Sequence, residues 1–159
     1  MKDKNGQDRA GEERVRLFES QGSVKAGGAK VDYTAKAGWL DLMEDDKPKA
    51  EIFFSYYRAK GHRAESRPLT LVFNGGPGAA SAYLHIGAIG PKRLDTNADG
   101  SIAASPARLV DNAQSWLAFT DLVFIDPVGT GISRMHKEKD ETGKEAKGGT
   151  GSADETFYW

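Results

Sequence analysis

The fold is decided by the run Leu71-Val72-Phe73-Asn74-Gly75-Gly76-Pro77-Gly78. Its apolar start predicts the end of a buried strand. Its glycines tolerate positive φ and add no side-chain bulk, so the main chain can come close to a substrate carbonyl or carboxylate. We therefore interpret residues 71–78 as a strand that leads into an oxyanion-hole loop. The alternative interpretation is a purely structural turn between a strand and a helix.

A second short apolar run, Leu122-Val123-Phe124-Ile125, also ends in a glycine-bearing loop, at residues 127–131. This run and residues 69–73 are typical of strands that are buried on both faces of a parallel sheet. Between them, residues 81–89 have a helical apolar spacing that Gly90-Pro91 closes. A strand, a crossover and a second strand make an α/β unit, which carries functional loops at the carboxyl ends of its strands.

Ahead of this unit, residues 22–57 show the alternating apolar pattern of strands. Apolar runs at residues 31–35, 39–42 and 52–56, with a turn at Asp45-Asp46-Lys47-Pro48, predict an antiparallel meander. The predicted fold class is therefore α/β, with antiparallel strands that lead into a parallel sheet with helices.

The composition predicts where this fold begins and ends. Residues 1–20 alternate charges with polar residues and should be a disordered or frayed lead-in, whereas residues 21–159 should form one partial domain. Residues 134–152 are nearly all charged or glycine, which favours a mobile surface loop. The aromatic residues 157–159 follow Asp154, a candidate helix cap, and the chain stops there, which suggests truncation.

Composition also limits the partners. A chain of 159 residues with 38% hydrophobic residues, 28% charged residues and a net charge of -1 indicates a soluble globular domain or a piece of one, and does not favour nucleic acid. No stretch of the sequence contains the run of about 18 consecutive apolar residues that a membrane span needs. The compartment stays open between the bacterial cytoplasm and, after removal of an export signal, the periplasm or cell envelope. The lack of cysteine excludes disulfides but not export, and the oligomeric state also stays open.

The landmarks 71–78 and 121–133, linked by Gly90-Pro91 and residues 111–116, together resemble the serine carboxypeptidase family in its cysteine-free bacterial branch. The resemblance is to the amino-terminal portion of that family. It implies an α/β hydrolase whose Ser, Asp and His triad removes C-terminal residues from peptides with a free C-terminus. The family's nucleophile sits in a Gly-Glu-Ser-x-Gly elbow downstream of these landmarks, which would lie beyond Trp159.

The resemblance assigns roles within the first loop. It implies that Asn74 and Gly75 bind the terminal carboxylate of the substrate, and that the backbone amide of Gly76 belongs to the oxyanion hole. A preorganised amide donor of this kind contributes about 10²- to 10³-fold in rate. Pro77 would stiffen the turn, and Gly78 would let the following helix start close beneath it.

The chain departs from the better-known eukaryotic members at three positions. Val72 stands where they have Trp, Ala79 where they have Cys, and Ala88 where they have a Glu that supports carboxylate recognition. Chain-end specificity is therefore less secure than hydrolase identity, and an endopeptidase, amidase or esterase on the same scaffold stays open.

The second loop, residues 127–131, follows Asp126 and contains Gly129, Thr130 and Gly131. A strand that ends in Gly-x-Gly could begin a dinucleotide-binding fingerprint, but the third glycine of that fingerprint is missing. We expect this loop to form the floor of the cleft instead, with Asp126 and Thr130 holding it by hydrogen bonds and the two glycines shaping it.

No complete triad can be proposed within the chain. Gly-x-Ser-x-Gly occurs nowhere, and the three histidines, His62, His85 and His136, lack a plausible serine and carboxylate nearby in sequence. His85 is better explained as a packed histidine. No spacing resembles a metal-ligand set, so we predict no metal and no cofactor. The chain alone should be inactive and its parent an enzyme; the alternative is a non-catalytic binding module or relic.

Overall fold

The computed structural model describes residues 17–75 and 78–136. Within this part of the chain most of the regular structure is β. The strands are β1 (Leu17–Ala26), β2 (Ala29–Glu44), β3 (Lys47–Ala59), β4 (Leu69–Val72), β5 (Lys92–Leu94), β6 (Leu109–Asp111), β7 (Asp121–Ile125) and β8 (Arg134–Met135). The helical elements are α1 (Ala82–Leu84), the π-helical turn His85–Ile89, and 3₁₀ turns at Ala64–Ser66 and Trp116–Ala118.

One mixed sheet organises the described residues. Its strand order is β1-β2-β3-β7-β4, and β8 also pairs with β3. Strands β1, β2, β3 and β7 pair antiparallel, whereas β4 and β7 pair parallel. This topology agrees with the predicted antiparallel strands that lead into a parallel α/β unit. Strands β5 and β6 form a separate antiparallel pair. Across residues 17–75 and 78–136, the structure contains no helix with the length and apolar character needed to span a membrane.

The antiparallel part differs from the prediction in its strand boundaries. The runs at 31–35 and 39–42 belong to a single strand, β2, because Gly38 between them pairs with both Leu17 of β1 and Phe54 of β3. The third strand of the meander is therefore β1. Residues 17–20, predicted to be part of the lead-in, pair with residues 35–38; residues 1–16 lie outside the described part.

The turn between β2 and β3 lies where the sequence predicts it. Asp45 and Asp46 both have positive φ, 48° and 59°, a conformation that Asp tolerates better than most residues and that two-residue hairpins require. A glycine pair, Gly27 and Gly28, makes the equivalent turn between β1 and β2, with φ of 59° and 81°. Two-residue turns at both ends of β2 set its pairing with β1 and β3, and the β2–β3 register shifts once, between Leu42 and Met43.

The core lies on one face of the sheet. Three helical elements cover this face, namely α1, the π-helical turn and the 3₁₀ turn at Trp116–Ala118. The buried residues of this core come from five strands and one turn: Val24, Ala26, Tyr33, Ala59, Val72, Leu117, Leu122 and Phe124.

The other face of the sheet is open among the described residues. Leu69 and Leu71 of β4 are 57% and 58% exposed. Among the described residues, the prediction that β4 is buried on both faces is therefore wrong. Burial on both faces requires a covering layer on each side, and the described residues supply one layer. We define the open apolar face by a shallow cavity lined by Leu40, Ile52, Phe54, Tyr56, Leu69, Val123 and Ile125.

The open apolar face should make the isolated chain bind hydrophobic dyes and self-associate, because a contiguous apolar sheet surface beside an edge strand favours aggregation. Replacing Leu69 and Leu71 together by Lys should reduce dye fluorescence and the aggregated fraction in size-exclusion chromatography. Tyr83→Lys, at a position 73% exposed outside this face, adds the same kind of charge and should leave both unchanged. A monomeric unmodified chain that binds no dye would contradict this expectation.

Candidate functional site

Both candidate loops leave the sheet at the same edge. Strands β4 and β7 are parallel neighbours, with Val72 opposite Phe124, so the loops that follow them start side by side. Carboxyl ends of parallel strands are where open α/β sheets place ligand sites. The structure therefore brings the two sequence landmarks together at one edge.

The first loop is described on either side of its centre. Asn74 is partly buried and Gly75 is exposed, whereas Gly76 and Pro77 lie outside the described residues. The oxyanion-hole assignment of Gly76 therefore stays a prediction. Gly78 has φ of 84°, a conformation in which a residue with a Cβ would be strained.

Ser81 closes this loop against the end of β7. Its backbone N–H donates to Asp126 Oδ1 at 2.9 Å, and its hydroxyl donates to the carbonyl of Ile125. A serine at the start of a helix is typical of an N-cap, but the Ser81 side chain makes no such bond. Sequence reasoning missed Ser81 because its partners lie more than 40 residues away.

The second loop is held by hydrogen bonds around Asp126 and Thr130. The Asp126 backbone N–H donates to the carbonyl of Phe53 at 3.0 Å, and its carbonyl accepts from Ser133 Oγ at 2.7 Å. The Thr130 hydroxyl donates to the carbonyl of Pro127 at 2.8 Å. Asp126, Thr130 and Ser133 are all buried.

Two glycines shape the second loop. Gly129 and Gly131 have φ of 82° and 51°. A Cβ at Gly131 would lie 1.9 Å from Asp126 Oδ2 and 3.2 Å from the Cβ of Ala80. Glycine is therefore required at 131 both by its backbone conformation and by the carboxylate beside it.

His85 is a packed histidine. Its Nε2 lies 2.7 Å from the Tyr57 hydroxyl, and its ring stacks on Phe124 at a centroid distance of 4.4 Å. Burial lowers the pKa of His85, against the opposing effect of the Asp126 carboxylate. Burial also raises the pKa of Tyr57 to about 12.

Ser81, His85 and Asp126 lie near one another but do not form a catalytic triad. The Ser81 hydroxyl is buried and donates to a main-chain carbonyl, and the His85 Nε2 is bonded to Tyr57. A nucleophile needs an exposed oxygen within hydrogen-bond reach of a free base nitrogen, and this arrangement provides neither.

The Gly90-Pro91 landmark is fixed by the segment at residues 111–116. Asn112 Nδ2 donates to the carbonyls of Ala88 at 2.6 Å and Gly90 at 2.9 Å, and Ser115 Oγ donates to the carbonyl of Ile89 at 3.1 Å. Asn112 and Ser115 are both buried. The two side chains therefore satisfy the carbonyls at the end of the π-helical turn.

A buried ion pair holds the opposite end of β7. Asp121 Oδ1 accepts from Arg67 Nε at 3.0 Å and from the backbone N–H of Ala59 at 3.1 Å. Arg67 also donates to the carbonyl of Leu117 at 2.8 Å. The sequence offered no signal for this pair, since Arg67 lies in a polar linker.

One group of side chains could be considered for a metal. Ligand atoms of Asp41, Glu51 and His136 lie within 4.8 Å of one another. Zinc ligands at about 2.0–2.1 Å from the ion lie only about 3.3 Å apart, so these side chains would have to move closer. They come from β2, β3 and the residue after β8, which explains why sequence spacing carried no signal. The prediction of no metal and no cofactor stays a prediction.

The mixed sheet and its paired loops define a protein of mixed α and β structure with a candidate site at one sheet edge. The sequence profile of the family described as serine carboxypeptidase matches residues 27–155. This match spans most of the chain, which therefore belongs to the serine carboxypeptidase family.

Several curated proteins are similar to the chain. The pheromone-processing carboxypeptidase KEX1 of Saccharomyces cerevisiae is 37% identical over 103 residues, which cover 64% of this chain and 13% of the relative. The serine carboxypeptidase-like 41 protein of Arabidopsis thaliana is 30% identical over 119 residues, which cover 72% of this chain and 22% of the relative. The chain thus spans between about an eighth and about a fifth of the length of these relatives.

The Gly90-Pro91 landmark yields a stability prediction. A Cβ at Gly90 would lie 2.1 Å from the carbonyl oxygen of His85, whereas a Cβ at Gly87 would meet nothing within 4 Å. Gly90→Ala should therefore destabilise the chain by about 1–3 kcal/mol. Gly87→Ala should be neutral or slightly stabilising, because it restricts the unfolded chain. Urea denaturation would measure both, and equal effects of the two substitutions would contradict the described geometry.

A second prediction concerns pH. Since the His85 pKa is lowered in the fold from its ordinary value of 6.5, the unfolded chain binds this proton first as the pH falls. The His85 contribution to stability should be fully present above about pH 6.5, decline below it and level off once the pH passes the folded-state pKa. Urea denaturation at pH 7.5 and 5.0 should show a smaller loss for His85→Gln than for the unmodified chain; an equal loss would exclude His85 as a contributor.

Proposed function

We propose that this chain is part of a serine carboxypeptidase-like hydrolase that cleaves C-terminal residues from peptides. The observation that carries the proposal is the pair of glycine-bearing loops that leave parallel strands β4 and β7 at one sheet edge. Membership of the serine carboxypeptidase family supports the same chemistry. In this proposal the complete fold is an α/β hydrolase, of which residues 21–159 form the partial domain.

The first loop would supply two parts of the site. Asn74 and Gly75 bind the terminal carboxylate of the peptide, through the side-chain amide and the backbone N–H. The backbone N–H of Gly76 stabilises the oxyanion of the tetrahedral intermediate. Amide donors suit both tasks, because they are fixed by the fold and do not reorganise as negative charge develops.

The reaction also needs a serine nucleophile, a histidine base and an aspartate. We propose that these come from sequence outside residues 1–159, because the chain contains no Gly-x-Ser-x-Gly elbow. The chain by itself is then inactive, since an oxyanion hole stabilises nothing without a nucleophile. An amino-terminal position in the parent protein and membership of the cysteine-free bacterial branch belong to the same proposal.

A different serine hydrolase on this scaffold is the second candidate. Ala88 offers no carboxylate, and Val72 is buried under the helical layer. The positions that hold a Trp and a Glu in eukaryotic members thus provide neither group here, and this is the observation that supports an esterase or amidase as the second candidate. A non-catalytic binding module or relic is the third possibility.

The complete gene product that contains this chain should separate these candidates. A serine carboxypeptidase-like enzyme should react with a fluorophosphonate probe and should cleave a peptide with a free C-terminal carboxylate faster than its C-terminal amide. An esterase or amidase should react with the probe without preferring the free acid. A binding module should not react, and the 159-residue chain alone should not react in any case.

Asn74→Ala in the complete gene product tests the carboxylate role. Loss of a hydrogen bond to a charged group costs about 1.5–3 kcal/mol, so kcat/KM for the free-acid peptide should fall about 10- to 100-fold while the amide is little affected. Asn97→Ala makes the same change at an exposed turn, where Asn97 bonds to Ser101, and should alter neither rate. Equal losses on both peptides would contradict carboxylate binding by Asn74.

A further inference from the structure

We propose that Asp126 is a positioning residue for the first loop: it sets the placement of the amide-bearing loop through Ser81, and Gly131 is glycine to make room for its carboxylate. This inference rests on the proposed function and extends it to a residue that does not touch the substrate.

The first loop is attached to the sheet at its start and at its end, and Asp126 takes part in the attachment at its end. At its start, Val72 pairs with Phe124 in the parallel ladder. At its end, the Ser81 backbone N–H donates to Asp126 Oδ1 at 2.9 Å and the Ser81 hydroxyl donates to the carbonyl of Ile125. Both described ends of the first loop are therefore attached to the carboxyl end of β7, Val72 through Phe124 and Ser81 through Ile125 and Asp126.

The main chain of Asp126 is fixed independently of Ser81. Its backbone donates to Phe53 and accepts from Ser133, so its main chain is fixed at the end of β7. Its second oxygen, Oδ2, occupies the space where a Cβ at Gly131 would lie, at 1.9 Å. Ala80, directly before Ser81, lies 3.2 Å from the same Cβ position. The carboxylate therefore lies between the two loops and contacts both.

This geometry distinguishes the two oxygens of Asp126. Oδ1 acts as an acceptor for a backbone donor, a task that the amide oxygen of Asn can also perform. The charge is therefore not essential, but an oxygen at this position is. Asp126→Ala removes the acceptor and leaves the buried Ser81 N–H without its partner, whereas Asp126→Asn keeps it.

The first measurement is hydrogen exchange of the Ser81 amide in the complete gene product. Asp126→Ala should accelerate this exchange about tenfold or more, because a donor to a charged acceptor is released, and Asp126→Asn should restore slow exchange. Unchanged exchange in Asp126→Ala would overturn the inference whether or not the protein proves to be a hydrolase.

The second measurement is the ratio of kcat/KM for a free-acid peptide to that for its C-terminal amide. A displaced loop should lose this preference, so the ratio should fall several-fold in Asp126→Ala and recover in Asp126→Asn. A general loss of folded protein lowers both rates equally and leaves the ratio unchanged. If exchange accelerates while the ratio stays constant, the positioning role is wrong and Asp126 only stabilises the fold.

A matched control lies at the other end of the same strand. Asp121→Ala removes the carboxylate that pairs with Arg67 and should lower stability, but residue 121 is the first residue of β7, at the end of the strand away from the two loops. In this control variant, hydrogen exchange of the Ser81 amide under native conditions should stay near that of the unmodified protein. The ratio of kcat/KM for the free-acid peptide to that for the amide should also stay near its unmodified value. A control that shifts the ratio as much as Asp126→Ala would show that the loss of preference is not specific to Asp126 and would overturn the inference.

Gly131→Ala provides a second route to the same displacement. The added Cβ would press on Asp126 Oδ2 in a backbone conformation that alanine disfavours, so it should accelerate Ser81 exchange as Asp126→Ala does. In the double variant the carboxylate is gone, and the two effects should be strongly non-additive. Fully additive effects would show that Gly131 and Asp126 act separately, which contradicts the proposed contact. Failure of the gene product to hydrolyse either peptide would remove the proposed function, while the exchange results would still decide the role of Asp126.

Discussion

The structure depends most on the parallel pairing of β4 with β7. This pairing joins the antiparallel meander to the first candidate loop and fixes both loops at one edge. It is reinforced where it begins, because Thr70 Oγ1 bonds to Thr120 Oγ1 at 2.9 Å and the Asp121 N–H donates to the carbonyl of Pro68 at 2.9 Å. A parallel pair requires a long crossover, and that crossover carries the helical elements that cover the core.

Local chemistry explains what the sequence could predict. The two apolar runs at 69–73 and 122–125 indicated the parallel pair, and Asp45-Asp46 indicated the hairpin, because strand burial and turn conformation leave clear residue preferences. The family followed from landmarks spread over residues 71–133, whose order matters more than any one of them. Hydrophobic spacing and turn residues thus predicted the types of secondary structure and their order along the chain.

The strand boundaries and the contacts between loops were not predictable in this way. Gly38 reads as an interruption between two apolar runs, yet pairing on both edges keeps it within β2. Ser81 and Gly90 owe their importance to atoms that lie close only in the fold, the Asp126 carboxylate and the His85 carbonyl. Burial on both faces of β4 was predicted from its composition, but composition cannot show whether both covering layers are present in the described part.

A site built from backbone amides depends on the residues that hold the main chain in place more than on the residues that supply the amides. In the proposed function the groups that touch substrate are mostly main-chain N–H donors, which every residue except proline can offer. Their placement is therefore decided by residues that hold the backbone, here Asp126 and Gly131, and not by the side chains that face the substrate. In that proposal, Val72 and Ala88 would alter what the site prefers to bind, whereas a change at Asp126 or Gly131 would alter whether the amides point to the reacting group at all.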